Sequence, residues 1–409
     1  MSASLLPFEY ASSRLKPVQP SASAAVSQNA KELKLAGHDV IDLGLGEPDF
    51  DTPAHIVEAA YQAAKSGQTR YPPTDGTATL KAAIIKKLRR DNALDFSPQQ
   101  IIVSNGAKQV IFNAFMATLE VGQEVLMCAP YFGQYKDMVT VLGGIPKPLQ
   151  CPAEDGFLIS PNALEEAITP NTRWLILNLP SNPAGAVYTL EQLAALGEVL
   201  ERHPNVMVLS DEIYEHIIFD GRTFISFATA CPNLRDRILL VNGVSKAYAM
   251  TGWRVGYGAG HKTLIAAMTK VQSQISSGVC SVAQAAAEAA LSGPQDEVVR
   301  FKNAFEKRRD LVVSKVAKIR GLTLDPPGGA FYAFIGCKEY IGCLGPDGTV
   351  IKDDIQFCQY LLNEAKVAAV PGSAYGLSGF FRLSTACSET VLCKAMDRIK
   401  QCVDKLTYK

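Results

Sequence analysis

An α/β fold, built on a largely parallel sheet with helices on both faces, is the class this sequence predicts, and three observations carry it. Between residues 101 and 260 short β-branched or leucine-rich runs recur. Helix-like stretches separate most of them, and polar side chains cluster immediately after them. Apolar strands alternating with helices are the pattern of a parallel sheet covered on both sides.

Taken in order, the first forty residues form a Ser/Ala-rich arm with a helix-like stretch over 25–36 that ends at Gly37. An apolar run over 40–45 leads into the dense turn Gly46-Glu47-Pro48-Asp49-Phe50. Strand-like runs follow at 101–103, 125–127, 175–177, 206–209, 238–241 and 255–257, with helices expected over 107–120 and 190–202. From about Val299 a charged helix over 300–318, the stretch Gly328-Gly329-Ala330-Phe331-Tyr332, apolar segments over 367–371 and 379–384 and a final helix make a second, smaller α+β layer. The expected division is an arm with part of the small domain over residues 1–50, a large cofactor-binding domain over 51–298 and a small domain over 299–409.

Composition narrows the function classes. In 409 residues, 40 Lys plus Arg balance 40 Asp plus Glu, so no field draws in nucleic acid or an anionic membrane. No stretch approaches the roughly 20 apolar residues of a membrane span. Ten cysteines without Cys-x-x-Cys spacing fit buried free thiols better than a disulfide scaffold or a zinc site. The N-terminus lacks a signal-peptide core, and a cytoplasmic location is expected.

In a parallel sheet, ligands sit beyond the carboxyl ends of the strands. Four successive runs are followed there by Ser104-Asn105-Gly106-Ala107-Lys108, by Asn178 to Pro183, by Ser210-Asp211-Glu212-Ile213-Tyr214 and by Asn242-Gly243-Val244-Ser245-Lys246. Lys246, just past an apolar strand, is placed for desolvation, which lowers an amine's pKa and makes it nucleophilic. Ser245 beside it and Arg254 eight residues on offer a hydroxyl and a guanidinium fork for phosphate. Gly106 opening a helix at Ala107 and Lys108 directs free N–H groups at an anion. Asp211 reads either as a helix N-cap or as a carboxylate holding a protonated ring nitrogen. No recognised metal-ligand spacing occurs among Asp211, Glu212, Glu215, His216 and the other histidines. An amine, an acid, a phenol at Tyr214, an amide at Asn182 and a phosphate cradle together describe pyridoxal 5'-phosphate.

Eight motifs sharpen this: G-L-G-E-P-D-F-D-T-P, R-Y-P-P-T-D-G, N-G-A-K-Q, A-P-Y-F, N-L-P-S-N-P-A-G, S-D-E-I-Y-E-H, S-K-A-Y-A-M-T-G-W-R-V-G-Y and F-F-R-L-S. In this order the chain resembles the class I aminotransferases of fold type I, in particular the bacterial-type aspartate/prephenate aminotransferase subgroup. The resemblance implies a mostly parallel seven-stranded sheet and a ping-pong transfer between amino acids and 2-oxo acids, with aspartate or glutamate favoured. It implies that Lys246 carries the cofactor and shuttles the α-proton, that Asp211 pairs with the ring nitrogen, and that Tyr214 and Asn182 bond the phenolic oxygen. Ser245, Arg254 and the N–H groups of Ala107 and Lys108 would hold the phosphate, and Phe132 would stack on the ring. Tyr71 would reach the phosphate of a neighbouring subunit, making a homodimer with shared sites. Arg382, with Gly46 and Asn182, would bind the substrate α-carboxylate, while Lys108 and Ser23 would receive the distal one.

Plainer readings stand beside these: Tyr71 packing a turn before Pro72-Pro73, Gly46 serving only its turn, Phe132 in the core, Arg382 on an edge strand, Lys108 pointing to solvent. The chain departs from its relatives' usual pattern at Phe132, where Trp is common, at Ser181-Asn182-Pro183-Ala184-Gly185, where Asn-Asn-Pro-Thr-Gly is common, and at Thr385, where Tyr is common. A same-fold aminotransferase of broad or aromatic specificity, a lyase on the same scaffold and a cofactor-sensing regulator are the alternatives. A regulator would need a basic nucleic-acid-binding extension, which neither the neutral charge nor the short arm supplies.

Overall fold

Seven strands of the computed structural model, which describes residues 10–407, form one sheet. In chain order the strands of the chain are β1 (Ile41–Asp42), β2 (Ile101–Ser104), β3 (Glu124–Ala129), β4 (Ile145–Gln150), β5 (Thr172–Asn178) and β6 (Met207–Asp211). They continue with β7 (Ile238–Gly243), β8 (Gly256–Ala259), β9 (Tyr332–Gly336), β10 (Val367–Ala368), β11 (Val370–Pro371) and β12 (Phe380–Ser384). The large sheet runs β2-β8-β7-β6-β5-β3-β4, parallel except where β8 pairs antiparallel with β2 and β7.

Side-chain alternation explains why this sheet is covered twice. Ile101, Val103, Leu175, Leu177, Val208 and Leu240 point to one core, which takes in Leu80, Ile84 and Leu88 of helix Ala78–Asn92. Ile102, Trp174, Ile176, Leu209, Leu239 and Val241 point to the other, against Val110, Ile111 and Phe115 of helix Ala107–Thr118. A period of two with every residue apolar requires a layer on each face. A separate core joins β9, β12, helix Asp296–Val316 and helix Glu389–Val403. Strand β1 pairs with β10, and Ala30 of helix Ala22–Leu35 packs on Ala368, so the arm is tied to residues late in the chain.

Six of the seven strands fall on the apolar runs of the sequence. The seventh, β4, carries Pro146 and Pro148, which lack a backbone donor and belong at sheet edges. It is an edge strand, largely exposed, so the buried-strand pattern is missing from it. Helix ends differ slightly from expectation: the arm helix starts at Ala22 rather than 25, and the charged helix spans Asp296–Val316 rather than 300–318. Helix Leu190–Glu201 begins with a capping box, Thr189 accepting from the Gln192 N–H and the Gln192 side chain answering to Thr189.

Candidate active site

Strands β5, β6 and β7 end at Asn178, Asp211 and Gly243, and the loops beyond them floor a cleft of about 320 Å³. Ser23, Gly46, Ala107, Lys108, Phe132, Asn182, Asp211, Tyr214, Ser245, Lys246, Arg254 and Arg382 all line it. Gly106 does not line it but adjoins Ala107 and the Arg254 guanidinium, which do. Tyr71 does not line the cleft; it is 96% exposed. The side chain therefore does not pack a turn.

Lys246 reaches this cleft three residues beyond β7. Its Nζ donates to the Gly46 carbonyl at 2.6 Å and lies 5.9 and 5.8 Å from the ring centres of Tyr214 and Phe331. Withdrawal from water lowers its pKa to about 8, and Arg382 adds to this, against the opposing pull of Glu47 and Asp211. Gly46 is more than a turn residue, because a Cβ there would sit 2.3 Å from the Tyr332 hydroxyl oxygen.

Asp211 is the last residue of β6. It is not a helix N-cap, since the chain turns after it without forming a helix. Its Oδ2 accepts from the Tyr135 hydroxyl at 2.6 Å and its Oδ1 from the Ile213 N–H at 3.3 Å. Burial pushes its carboxyl up to about 6, although both hydrogen bonds and Lys246 favour the charged form. The Tyr214 and Tyr332 hydroxyls pair at 2.7 Å, and burial holds the Tyr214 phenol well above its ordinary range.

Arg382 is nearly fully buried in β12, the middle strand of the order β11-β12-β9, which excludes an edge position. It donates to Asn182 Oδ1 at 3.1 Å, to Ser23 Oγ at 3.4 Å and to the Gly44 carbonyl. Its guanidinium lies 4.5 Å from the Tyr332 ring centre, and its buried Nε has no hydrogen-bond partner among the described residues. A buried donor left open inside a cleft is a place for an anion.

An arrangement suited to an anion lines the same cleft. Gly106, at φ +83°, caps helix Ala107–Thr118 and leaves the first N–H groups of that helix free. A Cβ at Gly106 would lie 2.3 Å from Arg254 Nη2, and one at Gly256 would lie 2.2 Å from the Ala107 nitrogen. Arg254 is held there by donating to the carbonyls of Thr251 at 2.8 Å and Asn105 at 3.3 Å. Lys108 stands at the mouth with its Nζ 5.9 Å from the Phe132 ring centre. Lys108 is exposed, as its solvent-pointing reading has it, and partial withdrawal from water, then Arg254, lowers its pKa. Phe132 lies edge-on to Tyr135 at 5.4 Å, lines the cleft and also packs against the core behind it, so both readings of it hold.

Several residues of the site escape a reading of the sequence. Asn178 accepts from the Asn182 N–H at 2.7 Å and donates to the Asp211 carbonyl at 3.0 Å; its place at a strand end was a usable signal. Tyr135 and Tyr332 come from a helix and from the second sheet, and nothing local marks either one. The acids near Asp211 part company: Glu212 accepts from Ser210 and Ser226, both at 2.8 Å, and Glu215 pairs with Lys87. Among the described residues no group of His, Cys, Asp or Glu is arranged to hold a metal ion.

Comparison with known proteins agrees with this geometry. The family model for aminotransferase class I and II matches residues 38–399. The chain is 49% identical over 395 residues to a probable aspartate/prephenate aminotransferase of Rickettsia bellii, covering 97% of this chain and 99% of that one. It is 49% identical over 395 residues to an aspartate aminotransferase of Rhizobium meliloti, with 97% and 96% covered. The crystal structure of the aspartate aminotransferase from Rhizobium meliloti superposes with a TM-score of 0.95 at 48% identity, over 98% of this chain and 100% of that one. The aspartate aminotransferase of Thermus thermophilus with maleate gives 0.90 at 38% identity, over 97% and 100%.

Proposed function

This chain belongs to the class I and II aminotransferases, and from that membership we propose that it uses pyridoxal 5'-phosphate to move an amino group between an L-amino acid and a 2-oxo acid, with aspartate and glutamate preferred. The cleft fits that cofactor. Amine, acid, phenol and anion cradle face one space, and the cradle closes where glycines 106 and 256 leave no room for a Cβ. When bound, pyridoxal phosphate supplies a carbonyl carbon for the amino group and a ring that accepts the electron pair left by the α-proton.

The chain's own residues do the rest. Lys246 anchors the cofactor, and an amine with a pKa near 8 takes and returns a proton close to neutral pH. Asp211 holds a proton at the ring nitrogen, and Tyr214 and Asn182 hydrogen-bond the phenolic oxygen. Ser245, Arg254 and the N–H groups of Ala107 and Lys108 hold the phosphate, and Phe132 covers the ring. Arg382 binds the α-carboxylate with help from Asn182 and the Gly46 backbone. Its open Nε supports that role. Lys108 and Ser23 receive the distal carboxylate, a charge-assisted contact worth about 1.5–3 kcal/mol. The aspartate in the names of the relatives supports a dicarboxylic donor. Those names also disfavour a lyase.

Tyr71, exposed and away from its own cleft, completes the phosphate site of a second copy in a homodimer. The division at residues 51–298 and 299–409 belongs to this reading, supported by the separate cores. No described helix is long and apolar enough to cross a membrane, and the ten unpaired cysteines support a reducing, cytoplasmic setting.

One observation carries the proposal: a water-poor lysine amine in the same cleft as Asp211 and Arg382. Borohydride reduction of the protein with pyridoxal phosphate is expected to fix one pyridoxyl group per chain on the peptide containing Lys246, and Lys246→Ala to lose it and nearly all transamination. Wild-type turnover in Lys246→Ala would overturn the mechanism. Lys108→Leu is expected to raise KM for aspartate and glutamate about tenfold or more while sparing aromatic amino acids. Equal losses for both classes would remove Lys108 from substrate choice.

A further inference from the structure

Gln272, far from the chemistry on helix Lys262–Ile275, is fully buried and uses every hydrogen-bonding position of its side chain. Its Nε2 donates to the Thr74 carbonyl at 2.5 Å and to the Val103 carbonyl at 2.8 Å. Its Oε1 accepts from Ser104 Oγ at 2.5 Å and from Asn113 Nδ2 at 2.9 Å. Two segments meet on this one amide. Ser104 ends β2 and leads through Gly106 into the anion cradle, while Thr74 belongs to the segment that starts at Tyr71.

That segment is clamped along its length. The Val103 N–H donates to the Asp75 carbonyl at 3.0 Å, and the Thr77 N–H to Gln284 Oε1 at 2.8 Å. A Cβ at Gly76 would lie 2.5 Å from Val103 Cγ2, and one at Gly278 would lie 2.7 Å from the Pro73 carbonyl. Tyr71 therefore projects almost fully into solvent from a rigid base. An exposed aromatic on a loop with no such base would lose orientation on binding, whereas this one is preorganised. A fully satisfied buried amide admits one arrangement of its partners, since any other leaves a buried polar group unpaired.

We propose that Gln272 is a positioning residue that locks the phosphate cradle of its own subunit to the loop delivering Tyr71 to the neighbouring subunit, so that each subunit sets the phosphate geometry of both sites. This rests on the shared-site homodimer proposed above. Nothing else in the mechanism uses Gln272, and it does not line the cleft of its own chain.

Hybrid dimers test it. Mixing Lys246→Ala with Tyr71→Phe subunits leaves one working site, with its lysine and cradle from the Tyr71→Phe chain and its tyrosine from the Lys246→Ala chain. The readout is the concentration of pyridoxal phosphate, or of pyridoxal, needed for half-maximal borohydride-fixed pyridoxyl on Lys246. Gln272→Met placed on either chain is expected to raise it about tenfold for pyridoxal phosphate and to leave pyridoxal, which lacks the phosphate, unchanged. Gln272→Glu, which keeps length and acceptors but removes both donors, is expected to act in the same direction and serves if the Met variant does not fold. An effect from the cradle chain alone, or equal losses for both aldehydes, overturns the inference while leaving the homodimer intact. A hybrid without any Gln272 change that binds no better than the Tyr71→Phe homodimer overturns the shared site itself, and this inference with it.

Discussion

A lysine amine with a pKa near 8 is a liability before it is a tool. In the folded chain without cofactor Lys246 binds fewer protons than in the unfolded chain between about pH 8 and 10.5, so its contribution to stability rises with pH across that window. Below pH 8 it destabilises the fold by at most about 3 kcal/mol, less whatever water the cleft admits. Lys246→Met is thus expected to raise the Tm of the cofactor-free protein at pH 7, with the gain shrinking toward pH 10. A gain independent of pH would mean the amine is not dehydrated. Asp211 runs the opposite way, its raised pKa making stability fall as pH climbs from 3.8 to about 6. Both groups are placed against their own solvation, as groups at functional sites often are.

Among the elements, the decisive contact is the one between β8 and the start of helix Ala107–Thr118. Gly256 pairs with Ser104 and lies so close to the Ala107 nitrogen that no side chain fits between them. Overpacking of this kind costs about 1–3 kcal/mol where the structure can shift. Gly256→Ala is expected to weaken pyridoxal phosphate binding about tenfold to a hundredfold while far-UV circular dichroism stays that of the wild type. Unchanged affinity would show that the cradle is not built on this approach. The turn around Gly46 is held similarly from outside: Arg308 of helix Asp296–Val316 grips Asp49 with two bonds of 2.7 and 2.9 Å, and Phe50 stacks on Phe301 at 4.2 Å.

Across the whole molecule, one buried ion pair binds distant parts of the chain. Glu215, four residues past Asp211, accepts from Lys87, from Asn92 at 2.8 Å and from Asn242 at 2.6 Å. Burial would raise its carboxyl, but Lys87, His216 and these hydrogen bonds overcome that and hold it at about 2. A depressed carboxyl stabilises the fold above its unfolded pKa of about 4.5 and loses that contribution as pH falls toward 2. Lys87→Met is expected to destabilise by about 3–5 kcal/mol, because it leaves a buried carboxylate alone, and Lys87→Met with Glu215→Leu to recover most of it. Urea unfolding of the single and double variants checks this. A double variant no more stable than the single would show that packing, not charge, is at stake.

How much of this was legible beforehand follows from the range of each interaction. Strands with every residue apolar, the turns after them and the Lys246, Asp211 and Asn182 positions are local features, so six strands of the large sheet and the floor of the cleft could be read along the chain. The edge strand β4 was hidden by its prolines. Tyr135 against Asp211, Tyr332 against Gly46 and Tyr214, and Gln272 between two loops depend on segments that meet only when layers stack. The amino acid sequence by itself determined which chemistry the chain can carry, because residue types at strand ends set that. Tertiary structure alone decided the raised carboxyl of Asp211 and the depressed one of Glu215, the exclusion of side chains at Gly46 and Gly256 and the outward stance of Tyr71, because burial and close approach are properties of neighbours that are distant in the chain.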